Sequence, residues 1–209
     1  TRHVVDRMAL PGFLSGRRFT KIEGIPRQFA MPGESKYLAL YDLASVKVMT
    51  DEPYRRVREK EGQRPPDSFE AQIFKLPRFA RGIYEEIPLG QGEYKAPPSE
   101  FVQVVGHEAP RHKHKEFNAW YNTEHFPALM TVPGFLTGRR FRLCEREVPP
   151  MVGGGGSLPQ YLTIYDIEST SVFESEAFSK ASQSPWSDWV RSWYTRKMCA
   201  VYRRILPKR

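Results

Sequence analysis

The sequence predicts an α+β fold of two tandem βαββαβ units whose antiparallel sheets pack face to face as an intramolecular barrel. Three observations lead there. Leu10–Thr20 and Val132–Arg142 agree at eight of eleven positions, sharing Pro-Gly-Phe-Leu and Gly-Arg-Arg-Phe, and such self-similarity marks a repeated structural unit. The second copy alternates strand and helix patterns in the order of a split βαβ unit, with helices on one side of the sheet. Each copy also carries matched tyrosines, Tyr37, Tyr41 and Tyr84 against Tyr161, Tyr165 and Tyr202. They are assigned to the face that helices leave bare, so a second sheet is needed to cover them.

Composition sets the outer bounds. A chain of 209 residues with 40% hydrophobic and 13% aromatic content can bury a sizeable core, as one large domain or two small ones. No apolar run reaches the ~20 residues of a membrane span, and no signal-peptide pattern opens the chain. A cytoplasmic protein with no membrane partner is expected. Cys144 and Cys199 lack both a CxxC spacing and a match in the other copy, so they read as buried thiols rather than as a disulfide or zinc site. The 32 Lys+Arg against 24 Asp+Glu favour anionic small molecules. The charge is spread along the chain without a nucleic-acid-binding motif, so nucleic acid is not an expected partner.

The first unit is assigned to 1–89. Thr1-Arg2-His3 aligns with Thr123-Glu124-His125, so an opening strand and most of a helix are expected upstream of Thr1. After the Pro11-Gly12 turn, Phe13 to Ile22 reads as a strand and Lys36 to Asp42 as a second, alternating along its length. A helix is expected from Ser45 to about Lys60, broken by Gln63-Arg64-Pro65-Pro66-Asp67. Phe79 to Ile87 is the closing strand, and 90–99, with Pro97-Pro98, is the linker.

The second unit, 100–209, opens with a strand from Glu100 to Val105. A helix follows from about Lys115 to Phe126, where Pro127 is expected to end or bend it. Phe135 to Leu143 and Gln160 to Ile167 are the next strands, joined by a hairpin connection containing Gly153-Gly154-Gly155-Gly156. A helix starts near Ser171, whose spacing to Glu174 fits a capping box. Pro185 to Trp189 is a short helical piece, and Lys197 to Ile205 closes the unit.

Glu116-Phe117-Asn118-Ala119-Trp120-Tyr121 followed by His125, then Val132-Pro133-Gly134-Phe135 and Arg139-Arg140-Phe141, resembles the ferredoxin-like dimeric α+β barrel superfamily, closest to its EthD-like branch. The resemblance covers nearly all of the second unit and the first from Thr1 onward. Members usually build the barrel from two chains; a tandem fusion departs from that, and a further homodimer stays open. The resemblance implies decarboxylase, dehydratase, cyclase or isomerase chemistry without metal or organic cofactor on small aromatic, polyketide or lactone substrates. Other branches of the superfamily bind haem.

Within that frame His125, one turn after Tyr121, is the first candidate for acid/base work, because an imidazole can move protons near neutral pH. His3 is its match in the first copy. Either residue could instead serve a helix C-terminus as a structural cation. Tyr165, Tyr121 and Tyr161 could donate hydrogen bonds to a carbonyl or enolate, or simply fill the core. Asp166, like Asp42, could orient His125 or cap the helix that follows. Arg139 and Arg140, matched by Arg17 and Arg18, lie on opposite faces of one strand. One of each pair must point inward, where it could hold a substrate carboxylate bidentately or form an ion pair. Trp120 and Tyr202 complete the expected substrate-binding set. His107, His112 and His114 read as a solvated basic turn rather than as a metal cluster. The leading expectation is a cofactor-free lyase or isomerase acting on a small anionic ring compound. A haem-binding oxidative enzyme and a non-catalytic ligand-binding protein are the alternatives.

Overall fold

A computed structural model of the chain describes residues 2–26, 34–68, 72, 75, 76, 79–90, 94–144, 151, 152 and 158–206. The first half contributes helix α1 (Arg2–Met8), strands β1 (Phe13–Lys21) and β2 (Tyr37–Leu43), helix α2 (Glu52–Gly62) and strands β3 (Ala80–Arg81) and β4 (Tyr84–Ile87). The second contributes β5 (Phe101–Glu108), α3 (His114–Trp120), a π-helical turn (Tyr121–His125), α4 (Phe126–Met130), β6 (Phe135–Leu143), β7 (Met151–Val152), β8 (Tyr161–Ile167), α5 (Glu176–Ala181), α6 (Pro185–Arg191) and β9 (Thr195–Leu206). Gly12 and Gly134, matched in the repeat, both take positive φ, 82° and 97°. This backbone state, which a Cβ disfavours, sets the same turn before β1 and β6.

Seven strands form one sheet in the order β2-β1-β9-β5-β8-β6-β4, and every neighbouring pair is antiparallel. The halves are therefore joined edge to edge, β1 to β9 and β4 to β6, instead of lying as two separate layers. Backbone hydrogen bonding favours this arrangement, because it satisfies edge N–H and C=O groups that layered sheets would leave open. The sheet curls. Arg139 on β6 reaches Asp42 on β2 at 2.6 Å, five strands along, whereas a flat sheet would separate them by roughly 24 Å at ~4.8 Å per strand. This is an α/β barrel with mixed α+β content.

The two faces have different cores. Phe19, Val102, Val104, Phe141, Ile164, Ala200 and Tyr202 meet inside the curl. Phe117, Trp120, Tyr121, Phe126, Tyr161, Tyr165 and Val201 pack in the layer beneath the helices. Period-two alternation explains the split, since Leu162, Ile164 and Asp166 point one way while Tyr161, Thr163 and Tyr165 point the other. Tyr161 and Tyr165 thus lie under the helices, and of the second-half tyrosines matched in the repeat only Tyr202 faces the lumen.

Several boundaries differ from expectation. The helix before β6 does not stop at Pro127 but runs to Met130. Its π turn at Tyr121–His125 widens the backbone just where the proline ring would crowd the preceding turn. The expected Phe79 to Ile87 strand is two pieces with different partners, β3 on β7 and β4 on β6. Instead of a Ser171 capping box, Ser169 caps a 3-10 turn and Ser175 caps α5. The glycine run 153–156 lies outside the described residues. No helix among the described residues is long and apolar enough to cross a membrane.

Candidate active site beneath the helices

The sequence places bulky aromatic residues at 117, 120 and 121 on the buried side of α3 and the π turn, and tyrosines at alternate positions of β8. Where these surfaces meet, Tyr121 becomes the hub. Its hydroxyl is 3.1 Å from that of Tyr165, and its ring meets the His125 imidazole edge-on at 5.0 Å. The Arg140 guanidinium stands 4.0 Å above it. His125 also stacks on Trp120 at 4.6 Å and 17°, and the Trp120 indole N–H donates to Ser187 at 3.1 Å. Tyr161 accepts from Asn118 at 3.0 Å and leans against Phe117.

Arg140 is 1% exposed. It donates to the side-chain oxygens of Asn122 and Asn118, the latter at 3.2 Å, and among the described residues no carboxylate pairs with it. Among the described residues its Nε has no hydrogen-bond partner. A buried charge left to amide oxygens and ring faces is costly, and burial lowers its proton affinity below that of an ordinary arginine. His125 is partly buried, with Nδ1 shielded and unpartnered. Burial, then the positive charges of Arg191, Arg140 and Arg196, push its pKa down to about 3. The imidazole is therefore neutral at ordinary pH, and without a bound anion it is a weak base. Burial also raises the Tyr165 and Tyr121 phenols above their usual range. Both stay protonated; only one can donate to the other, and Tyr121 also hydrogen-bonds the Thr163 side chain.

His107 was not expected here. It lies on β5, not in a solvated turn, and it is buried with Nδ1 unpartnered. It packs on Tyr194 at 4.8 Å and Tyr121 at 5.8 Å. Burial first, then the charges of Arg196, His125 and Arg140, hold it well below the usual imidazole range. The signal for it was the period-two continuation of Gln103 and Val105 past the expected strand end. Asn118 and Asn122, one helical turn apart, were likewise not singled out.

Other candidates sit elsewhere. Asp166 neither orients His125 nor caps a helix: it faces the lumen, where it accepts from Arg17 at 2.5 Å, Ser99 at 2.5 Å and Tyr94 at 3.1 Å. Arg139 is also lumenal, paired with Asp42, and its guanidinium is 3.5 Å from the Tyr94 ring centre. Tyr202 is buried inside the curl and donates to the Ser35 carbonyl at 3.2 Å. His3 belongs to the first half, 3.5 Å from Glu61. Alternation along each strand puts all but His3 of these on the far side of the sheet from His125.

Among the described residues no three His, Cys, Asp or Glu gather as a metal site. At His125 and His107 a haem fits poorly as well. An axial imidazole needs an open flat slot, whereas the His125 ring lies between Trp120 and Tyr121, and the His107 ring touches Phe117, Tyr121 and Tyr194.

No family model matches the sequence, and no curated protein matches it. Among solved structures the chain resembles a chlorite dismutase-like protein, with TM-score 0.51 and 10% identity, over 98% of this chain and 81% of that one. It also resembles an anthrone oxidase-like protein, with TM-score 0.57 and 13% identity, over 97% and 81%. At these identities both likenesses speak for the fold.

Proposed function

We propose that the chain is a cofactor-independent lyase or isomerase, of decarboxylase, dehydratase or cyclase type, acting on a small anionic aromatic, polyketide or lactone-like compound beneath the helices of the second half. The buried, carboxylate-free Arg140 beside Tyr121 and His125 carries this reading, because a substrate acid group supplies the missing counter-charge. His125 accepts the proton from a carbon next to a carbonyl, and the bonding pair moves onto the carbonyl oxygen. The Tyr121–Tyr165 pair donates to that oxygen as its charge grows. Trp120 and Tyr161 wall the ring, and the negative substrate raises the proton affinity of His125 when it binds. The likeness to an anthrone oxidase-like protein supports a ring-compound substrate.

The same reading takes the chain as a tandem of two ferredoxin-like units, closest to the EthD-like branch. The eight-of-eleven repeat and the like placement of β1 with β6 and of β2 with β8 support it. The test is turnover by His125→Ala and Arg140→Leu over a panel of aryl and polyketide acids. Loss of solvent-deuterium exchange at the acidic carbon is expected, and unchanged turnover in His125→Ala removes the assignment.

A further inference from the structure

The first half holds a cavity that the proposed reaction does not use. It measures about 320 Å³ and is lined by Met49, Tyr54, Arg55, Arg58, Glu59 and Arg81. That is near the lower end of small-molecule sites, room for about one ring with its substituents.

Its floor is built. The Tyr54 ring is buried, stacked on Phe13 at 6.2 Å and 20°, and lies 5.0 Å beneath the Arg7 guanidinium. Arg81 donates to the Tyr54 hydroxyl at 3.4 Å, and Arg58 is held by Glu61 at 3.0 Å. Glu61 is also gripped by Arg7, two bonds at 2.8 Å. Burial works to raise the Glu61 carboxyl, but hydrogen bonds and charge from Arg7, then Arg58, hold it below the usual range. It stays an anion that fixes Arg58. Three arginines therefore line the cavity with one glutamate, Glu59, and two of them, Arg58 and Arg81, are anchored, with Met49 and Tyr54 as its less polar lining.

We propose that this cavity is a second binding site, separate from the one around Tyr121, for a small carboxylate or phosphate anion carried on one flat ring. Arg55 and Arg81 grip the anion, since guanidinium forks match both groups. The ring lies against Tyr54 and Met49.

The experiment follows the Met49 methyl signal of ¹³C-methyl-methionine protein, identified with Met49→Leu, during titration with benzoate, phenyl phosphate, inorganic phosphate and benzyl alcohol. Benzoate and phenyl phosphate are expected to move it saturably, with affinity at least about tenfold weaker in Arg55→Gln and Arg81→Gln, one decade being ~1.4 kcal/mol. Arg140→Leu should leave the titration unchanged, which separates this site from the proposed active site. The proposal is overturned if Met49 does not respond up to about 10 mM ligand, if benzyl alcohol or inorganic phosphate matches the ring-bearing anions, or if both arginine variants bind like the parent.

Discussion

Arg139 and Arg140 are consecutive residues of β6 with opposite electrostatic surroundings. Arg139 points into the curl and pairs with Asp42 at 2.6 Å, while Arg140 points under the helices and, among the described residues, meets amide oxygens and ring faces but no carboxylate. The lumen repeats the first solution across the repeat, Arg17 of the first half meeting Asp166 of the second at 2.5 Å. The inward arginines tie the halves together, and Arg140 takes no part in that seam.

Breaking the lumenal pair should be expensive. Arg17→Met leaves the Asp166 carboxylate buried without its cation, a loss of about 3–5 kcal/mol for such pairs, measured as a lower urea midpoint. Arg140→Met strands no carboxylate, so its stability is expected to match or exceed that of the parent.

The tyrosine pair is expected to act on turnover more than on folding. Tyr165→Phe and Tyr121→Phe each remove a hydroxyl from the donor pair while keeping the ring. If the pair holds a developing oxyanion, each costs on the order of 10²–10³ in kcat, with the thermal midpoint little changed. Equal losses of stability and activity would make the pair structural.

Acid should weaken the fold in a defined window. His125 titrates near 3 in the folded chain, and His107 is also depressed, whereas both take up protons near 6.5 when unfolded. The unfolded state therefore binds more protons as pH falls below about 6.5, and this contribution, complete at pH 7, drains away towards pH 3. Denaturant midpoints should drop between pH 7 and 5, and His125→Gln should flatten the slope. The depressed Glu61 carboxyl acts only lower, below its unfolded value of 4.5, which keeps the two effects apart.

The two matched strands β2 and β8 should differ in exchange. β8 is paired on both sides, by β5 and β6, while among the described residues β2 is paired only with β1. Amides of Tyr37–Leu43 that point away from β1 are expected to exchange on the order of tenfold or more faster than their β8 counterparts. Equal protection would mean that another strand lies along that edge.

Much of this architecture was legible in the residues. The repeat, the turn glycines and the alternation located β1, β2, β6, β8 and β9 to within a residue or two, because period-two patterning and Pro-Gly turns are local signals. The face assignment is only partly legible. Alternation says that Tyr165 and Asp166 point opposite ways, but not which side the helices cover: Tyr202 and Tyr84 lie with the lumenal cluster as expected, whereas Tyr161 and Tyr165 lie under the helices. Pro127 does not end the helix, because the π turn that accommodates it depends on packing. His107 was hidden by one residue pair too few in the strand, and Tyr94 by lying in a linker whose partners are distant in sequence. For His125, Tyr121 and Arg140, spacing brought the candidates forward, but only tertiary packing set them around one ring.

The most direct test of the central claim is a crystal structure after soaking with a series of aryl carboxylates. The account predicts density beneath the helices, with the carboxylate within hydrogen-bond distance of Arg140, the ring against Trp120 or Tyr161, and an oxygen facing Tyr121 and Tyr165. Ligand found only inside the curl beside Arg17 and Arg139, or equal occupancy in Arg140→Leu crystals, would contradict it.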